Sequence, residues 1–362
     1  MKKIFLTLTL AALTLVSCMK TNDVYVGAPE NHEIGFKAMS APSTKAGAVS
    51  SAVFPVGYNF YISAFAVDGG HDYFNKAEYT REGDSGNTWS GAVGNKQYWP
   101  IGVETLNFLA VTKPITTGGS PTVTFGDATP ANYASKVVVA LDSNIPNSSD
   151  SYNQHDLMYA YARAAVTKAG NVLTYPGNVA MTFAHAQSWV NFTVKAADAA
   201  TAGAGIVVTG IELKNAVYEG TATIELSNYD SKTIALDASL EWDGTAYSAA
   251  TPANVVVPGI SNVAVNSSSD AIACGDGLLV VPNPNEVETV LQPSFDSFVI
   301  SYTFNGNAYS FEYTPTSAER ALLPAHKYNF NITFTLTEIK VDATVATWTS
   351  GDTAVAIPDP GV

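Results

Sequence analysis

Tyr328-Asn329-Phe330-Asn331-Ile332-Thr333-Phe334-Thr335-Leu336 alternates large apolar residues with polar ones. A period of two places Tyr328, Phe330, Ile332, Phe334 and Leu336 on one face, and Asn329, Asn331, Thr333 and Thr335 on the other. That is a strand with one side in a core and one in water. A helix would scatter the same residues around its circumference. The alternation resumes at Ile339, Val341, Ala343 and Val345 in the opposite parity. The slip predicts a bulge or a change of sheet near Thr337-Glu338. Upstream, Phe298, Ile300, Tyr302 and Phe304 meet Tyr309, Phe311 and Tyr313 across Asn305-Gly306-Asn307, the turn chemistry of a hairpin.

The same reasoning predicts strands over residues 56–67, 104–112, 136–141, 157–166, 179–195, 206–214 and 221–226. Loops rich in Gly, Pro, Ser and Asn separate them, for instance at 115–121, 143–151 and 262–270. A length of 362 residues at 46% hydrophobic exceeds what one core needs. The break at Lys168-Ala169-Gly170-Asn171 and the turn at Pro176-Gly177-Asn178 divide the body into 46–175 and 176–362. The expected fold is all-β, with two antiparallel β-sandwich domains in tandem.

Charged residues make up only 14% of the chain, as in strands dressed in Ser and Thr, while 11% aromatic content argues against disorder. A net charge of −14 leaves nothing to neutralise phosphates and excludes a nucleic-acid partner. At the start, Lys2 and Lys3 precede an apolar run from Ile4 to Val16, too short to span a bilayer. Residues 1–17 therefore read as a signal peptide. Leu15-Val16-Ser17-Cys18 resembles a bacterial lipobox, which implies acylation of Cys18 and a lipid anchor in the outer membrane.

The search for chemistry finds no catalytic constellation. Gly83-Asp84-Ser85-Gly86 matches the local string around a trypsin-like nucleophile, but no histidine motif accompanies it and a surface turn accounts for it. Gly203, Gly205 and Gly210 mimic a dinucleotide fingerprint without a following helix to receive a phosphate. The histidines at 32, 71, 155, 185 and 326 show no metal-ligand spacing. His185 reads as a satisfied structural residue and Cys274 as a buried, inert thiol. No cofactor is expected. Tyr98-Trp99 and Trp242 suit a core better than a sugar platform, although a glycan-binding surface lipoprotein is the alternative they leave open.

Several further segments follow Cys18 in order. Ile34-Gly35-Phe36 reads as an early strand, and Ser43-Thr44-Lys45-Ala46-Gly47 as a flexible linker. Phe54-Pro55-Val56-Gly57-Tyr58-Asn59-Phe60-Tyr61-Ile62-Ser63-Ala64-Phe65 opens the first half, and Phe183-Ala184-His185-Ala186-Gln187-Ser188-Trp189-Val190 the second. Ile339-Lys340-Val341-Asp342-Ala343-Thr344-Val345-Ala346-Thr347-Trp348 comes near the end. In this order they resemble the fimbrillin family, subunits of type V pili in Bacteroidales.

The resemblance implies two transthyretin-like sandwiches and a fimbrial role in adhesion and biofilm formation. It implies a propeptide, residues 18–45, whose early strand carries Ile34 and Phe36 and is removed by proteolysis. The cut falls after Lys45, leaving Ala46 as the new N-terminus. The family usually has Arg at that place, so the protease is trypsin-like or Arg/Lys-specific; Lys37 is a second, weaker cut. The vacated groove takes a strand from another copy or a related pilin, here from residues 341–357, with Val341, Val345, Val355 and Ile357 as candidates. The 46–175 domain accepts and the 176–362 domain donates. No third domain follows Trp348, which favours a shaft subunit over a tip or anchor. Cutting also sharpens the charge: the first 45 residues hold five lysines and three acids, leaving the remainder at −16.

Overall fold

The computed structural model describes residues 32–40, 54, 57–83, 88–91, 95–113, 122–126, 135–141, 156–217, 220–242, 253–283, 293–347 and 355–356. In chain order the first strands are β1 (Phe36–Ser40), β2 (Asn59–Ala66), β3 (His71–Arg81), β4 (Thr88–Gly91), β5 (Thr105–Thr112), β6 (Thr122–Phe125), β7 (Lys136–Leu141) and β8 (Met158–Ala165). Next come β9 (Thr167–Ala169), β10 (Val172–Thr174), β11 (Val179–His185), β12 (Ser188–Ala196), the single helical turn α1 (Ala199–Ala202), β13 (Val207–Ala216), β14 (Gly220–Ser227) and β15 (Asp237–Trp242). The last are β16 (Ala253–Val256), β17 (Val263–Ala264), β18 (Ile272–Ala273), β19 (Leu278–Val280), β20 (Ser297–Phe304), β21 (Asn307–Tyr313), the turn α2 (Ser317–Arg320), β22 (His326–Phe334), β23 (Ile339–Thr347) and β24 (Val355–Ala356).

The protein is all-β, as the alternation requires. Where the sequence suggests a two-sheet sandwich in the first half, strands β1-β11-β8-β5-β2-β3-β4 instead close into a barrel, β4 returning to β1. Its core is aromatic: Phe36, Phe54, Phe60, Tyr79, Trp89, Phe108 and Phe183 pack with Leu106, Ile62 and Met158. Every residue of β5 is buried, because both its faces are covered. Leu106, Phe108 and Ala110 point into the barrel, while Leu109 and Val111 point out against a second sheet of order β15-β14-β7-β6. The outer core between them includes Val123, Phe125, Val137, Val139, Ile224 and Leu226.

In the later part, one sheet of order β18-β12-β22-β23-β24, with β19 on β12, shares a core with another of order β16-β13-β20-β21, with β17 on β13. Val190, Phe192, Val194, Phe330, Ile332 and Phe334 from the first meet Val208, Ile211, Leu213, Phe298 and Ile300 from the second. The Asn305-Gly306 hairpin forms as expected, pairing Phe298 with Tyr313 and Ile300 with Phe311. Both turn residues have positive φ, 50° and 76°, the backbone that joins twisted strands through two residues.

Three expectations need correction. Near Thr337-Glu338 there is neither a bulge nor a change of sheet: β22 and β23 are a hairpin in the same sheet. The parity reverses because the chain turns over residues 335–338, where Thr335 Oγ1 accepts the N–H of Glu338 at 2.8 Å, and Leu336 sits exposed in the turn. Second, the sheets are not purely antiparallel. β1 runs parallel to β11 and β12 parallel to β22, which long intervening chain allows and a tight turn does not. Third, residues 179–195 form two strands, not one. β11 belongs to the barrel and β12 to the later sheet, and the break falls at Ala186-Gln187. There Ala186 N–H donates to Leu157 O at 2.8 Å, Gln187 Oε1 accepts Leu157 N–H at 3.0 Å, and Gln187 O accepts Ala325 N–H at 3.0 Å.

Sheet membership also crosses residue 175. β11 completes the barrel, and the β14–β15 hairpin extends the β6–β7 ribbon. The link is strapped down by Arg163, whose guanidinium donates to Asn107 Oδ1 at 2.8 Å, Ile234 O at 2.7 Å and Asn228 O at 3.0 Å.

Candidate functional site: the barrel seam that holds the first strand

The seam lies between β11 and β4, and β1 fills it. Phe36 to Ser40 pair parallel with Val179 to Phe183, while Phe36 and Lys37 pair antiparallel with Trp89 and Thr88. The alternation seen in the sequence decides what enters the barrel. Ile34, Phe36 and Ala38 are all fully buried, and Lys37 faces solvent. Phe36 meets Tyr79, Phe108 and Phe60 edge to face, with ring centroids 4.7, 5.4 and 5.9 Å away. Each such pair is worth about 0.5–1.5 kcal/mol beyond its buried area.

The backbone before β1 is tied in as well. Ile34 N–H donates to Gln97 O at 2.8 Å, Trp99 N–H to His32 O at 2.8 Å, and Val179 N–H to Gly35 O at 2.9 Å. The Tyr79 hydroxyl donates to Ile34 O at 3.0 Å. Burial pushes that phenol well above its ordinary range, with the Glu33 carboxylate adding to the shift, so it remains a donor at physiological pH. His32 stacks on Tyr175 at 3.9 Å between centroids, and Lys96 pairs with Glu33 at 2.7 Å. That last contact is solvent-exposed and screened by water and salt, so the buried strand and not the ion pair holds the segment in place. Beyond β1 the chain is next described at Phe54, which is buried against Trp89 and Phe183 and whose carbonyl accepts from Arg81. The Lys45-Ala46 linker therefore joins two anchors in the same core.

At the other end, Val341 and Val345 lie in β23, half-buried against the later core. β23 pairs with β22 over all nine of its residues, whereas among the described residues β24 pairs with β23 through Thr344–Ala356 and Val345–Val355. Cys18, Lys45, Ala46, Ser85 and Ile357 fall outside the described residues.

His185 is buried with its Nδ1 2.9 Å from Asp156 Oδ1 in an equally buried carboxylate, at the junction where barrel gives way to sheet. Cys274 is buried without a disulfide, and burial pushes its thiol up to about 12. Trp99 is buried, and Trp242 donates its Nε1 to Ala186 O at 2.9 Å, so both serve packing. Tyr98 is more than a third exposed. Among the described residues no group of His, Cys, Asp or Glu is placed to hold a metal, and no helix is long and apolar enough to cross a membrane. Sequence reasoning missed β4, Tyr79, Trp89 and Asn178 as parts of the seam; their residue types mark them as core or turn, and nothing local says which strand they border.

The first described strand, β1, closes the barrel between β11 and β4. The chain belongs to the fimbrillin-like family, whose model matches residues 51–348; this is a family of structural pilins, not of enzymes. No curated protein matches the chain. Among solved structures it is similar to a candidate cell adhesion protein of Bacteroides ovatus, at 13% identity and a TM-score of 0.50 over 89% of this chain and 100% of that one. It is also similar to a fimbrial protein of Bacteroides vulgatus, at 16% identity and a TM-score of 0.44 over 88% of this chain and 100% of that one. The tip fimbrial protein Mfa3 of Porphyromonas gingivalis matches at 11% identity and 0.40, over 87% of this chain and 100% of that one.

Proposed function

We propose that the chain is a cell-surface fimbrial subunit that polymerises by exchanging one strand for another. It is exported as a lipoprotein anchored through Cys18 and cut after Lys45 by an Arg/Lys-specific protease. The cut frees the segment that carries Ile34 and Phe36. The barrel seam then takes a strand from residues 341–357 of the next copy. The accepting unit is the 46–175 domain with β11 and the β14–β15 hairpin lent to it; the donating unit is the later two-sheet sandwich. Donor and acceptor surfaces differ, so the contact is head-to-tail and grows a filament, serving adhesion and biofilm formation as a shaft subunit.

The observation that carries this reading is β1 itself. Among the described residues it is the first strand of the barrel in chain order, it is paired on both sides, and the linker from it to the rest contains Lys45. Its loss uncovers backbone groups on β11 and β4 and an aromatic cleft, which is a template for a new strand. Burying Ile34 and Phe36 supplies about 1.5–3 kcal/mol each, and a replacing strand must offer the same. The family match begins at residue 51 and stops at 348, so it spans neither β1 nor β24.

N-terminal sequencing of surface-extracted protein tests it, together with mild-heat gels. The expected result is a mature chain starting at Ala46 and a ladder of oligomers that disappears on deleting residues 341–362. A mature chain starting at Cys18 with no ladder overturns it.

A further inference from the structure

We infer that Asn178 governs what the seam accepts, admitting a strand with glycine or alanine between two large apolar residues, and that Val355-Ala356-Ile357 is the triplet in the donor region that qualifies. The inference rests on the strand-exchange reading above and names the residue and the segment that make the exchange selective.

Within β1's approach to the barrel, Ile34 and Phe36 are fully buried and Gly35 lies between them. A Cβ on Gly35 would stand 2.2 Å from Asn178 Oδ1 and 3.3 Å from its Cγ. The backbone of Gly35 is not in the left-handed region, so the demand for glycine is one of space, not of conformation. The strand cannot lift away there either, since Gly35 O accepts the N–H of Val179 at 2.9 Å. Asn178 is exposed, so its amide can turn outward for one methyl group. A longer side chain also meets Cγ, so the Asn178 side chain has to change rotamer as a whole, beside the buried Val179 of β11.

From Val341 to Val362 the order of large apolar, small, large apolar occurs once, at Val355-Ala356-Ile357. Val341 is followed by Asp342 and Val345 by Ala346-Thr347, so neither supplies the second large residue. The triplet is symmetric and satisfies the seam in either strand direction. A separate observation points to the same segment. Among the described residues β24 joins its sheet through two residue pairs against nine for β23, so it is the more lightly held of the two.

The test has two arms, both on the full-length chain. In the uncut protein, Gly35→Leu should lower the melting temperature by several degrees, and adding Asn178→Gly should restore at least half of the loss, while Asn178→Gly alone changes little. Should Gly35→Leu fail to fold, Gly35→Val gives the same comparison with a smaller side chain that one turned amide still does not clear. No rescue, or no loss to rescue, overturns the role of Asn178. In the second arm, chains are treated with a Lys-specific protease and oligomer ladders are read on gels. Ala356→Leu should abolish the ladder and Ala356→Leu with Asn178→Gly should bring it back. A ladder unaffected by Ala356→Leu overturns the triplet. A wild-type chain that is cut after Lys45 and forms no ladder overturns strand exchange itself, and the melting arm still decides Asn178.

Discussion

Phe36→Ala, made in a Lys45→Gln background that blocks the linker cut, weighs how firmly β1 is seated. Phe36 is fully buried and touches three aromatic rings. Removing a core phenylalanine costs about 3–5 kcal/mol, through lost transfer energy and the cavity left behind. When β1 swings out of the seam Phe36 reaches water, so nearly all of that cost appears as easier opening of the strand. At about 1.4 kcal/mol per tenfold, the open population should rise between about a hundredfold and a few thousandfold. Lys37 reports on it directly. Its side chain faces solvent, but its backbone is paired on both sides, with Ala180 and Thr88, so trypsin can cut there only after β1 opens. At low protease, where reclosing outruns cleavage, the rate follows the open population. Cleavage after Lys37 is read by mass spectrometry, with Lys195 on β12 as the internal reference. A rate at Lys37 within about threefold of the parent, where some two decades are expected, would refute the seating argument. So would an equal rise at Lys195, which reports unfolding of the whole chain.

Three further outcomes are expected. With its thiol pushed up to about 12 by burial, Cys274 stays neutral at ordinary pH and should resist iodoacetamide at mildly alkaline pH until denaturant is added; modification in the native protein at a free-thiol rate contradicts this. His185→Leu removes the imidazole hydrogen-bonded to the buried Asp156 and should lower the unfolding free energy by about 1–3 kcal/mol in urea titrations, with His185→Gln costing less. Gly306→Val forces a branched residue to φ 76° and should cost about 1–2 kcal/mol or more, read as a drop in melting temperature; an unchanged value means the turn has another form.

Faces were legible in the sequence, and partners were not. The parity of Tyr328 to Phe334, of Phe298 to Phe304 and of Ile34 to Ala38 reports which side chains are buried, because period two follows from the pleat alone. Residues 136–141 match β7 at both ends for the same reason. Which strand lies beside which depends on chain brought from far away. Hence the closure of β4 on β1, the parallel β12–β22 pair and the lending of β14–β15 to β7 left no local trace. The strand over residues 71–81 was missed because β3 lacks clean alternation: its register shifts against β2, and Lys76 has φ 49°. In the site, Ile34 and Phe36 were readable as an inward pair, whereas the Gly35–Asn178 approach joins residues from opposite ends of the barrel's sequence. The 186–187 break was hidden because Phe183 to Val190 is nearly all buried, so no exposed residue interrupts the pattern.

The placement of β14 and β15 sets an order of events during synthesis. β6 and β7 alone are a two-stranded ribbon, a unit that is marginal in water. Their apolar face, with Phe125, Val137 and Val139, packs on Leu109 and Val111 of β5 and is extended by Ala222, Ile224 and Leu226, roughly a hundred residues of chain behind it. At ordinary elongation speeds that delay is on the order of ten seconds. Throughout it one edge of β7 has no partner strand, and the barrel closes only once β11 is made, so the early half is completed only by chain from the later one.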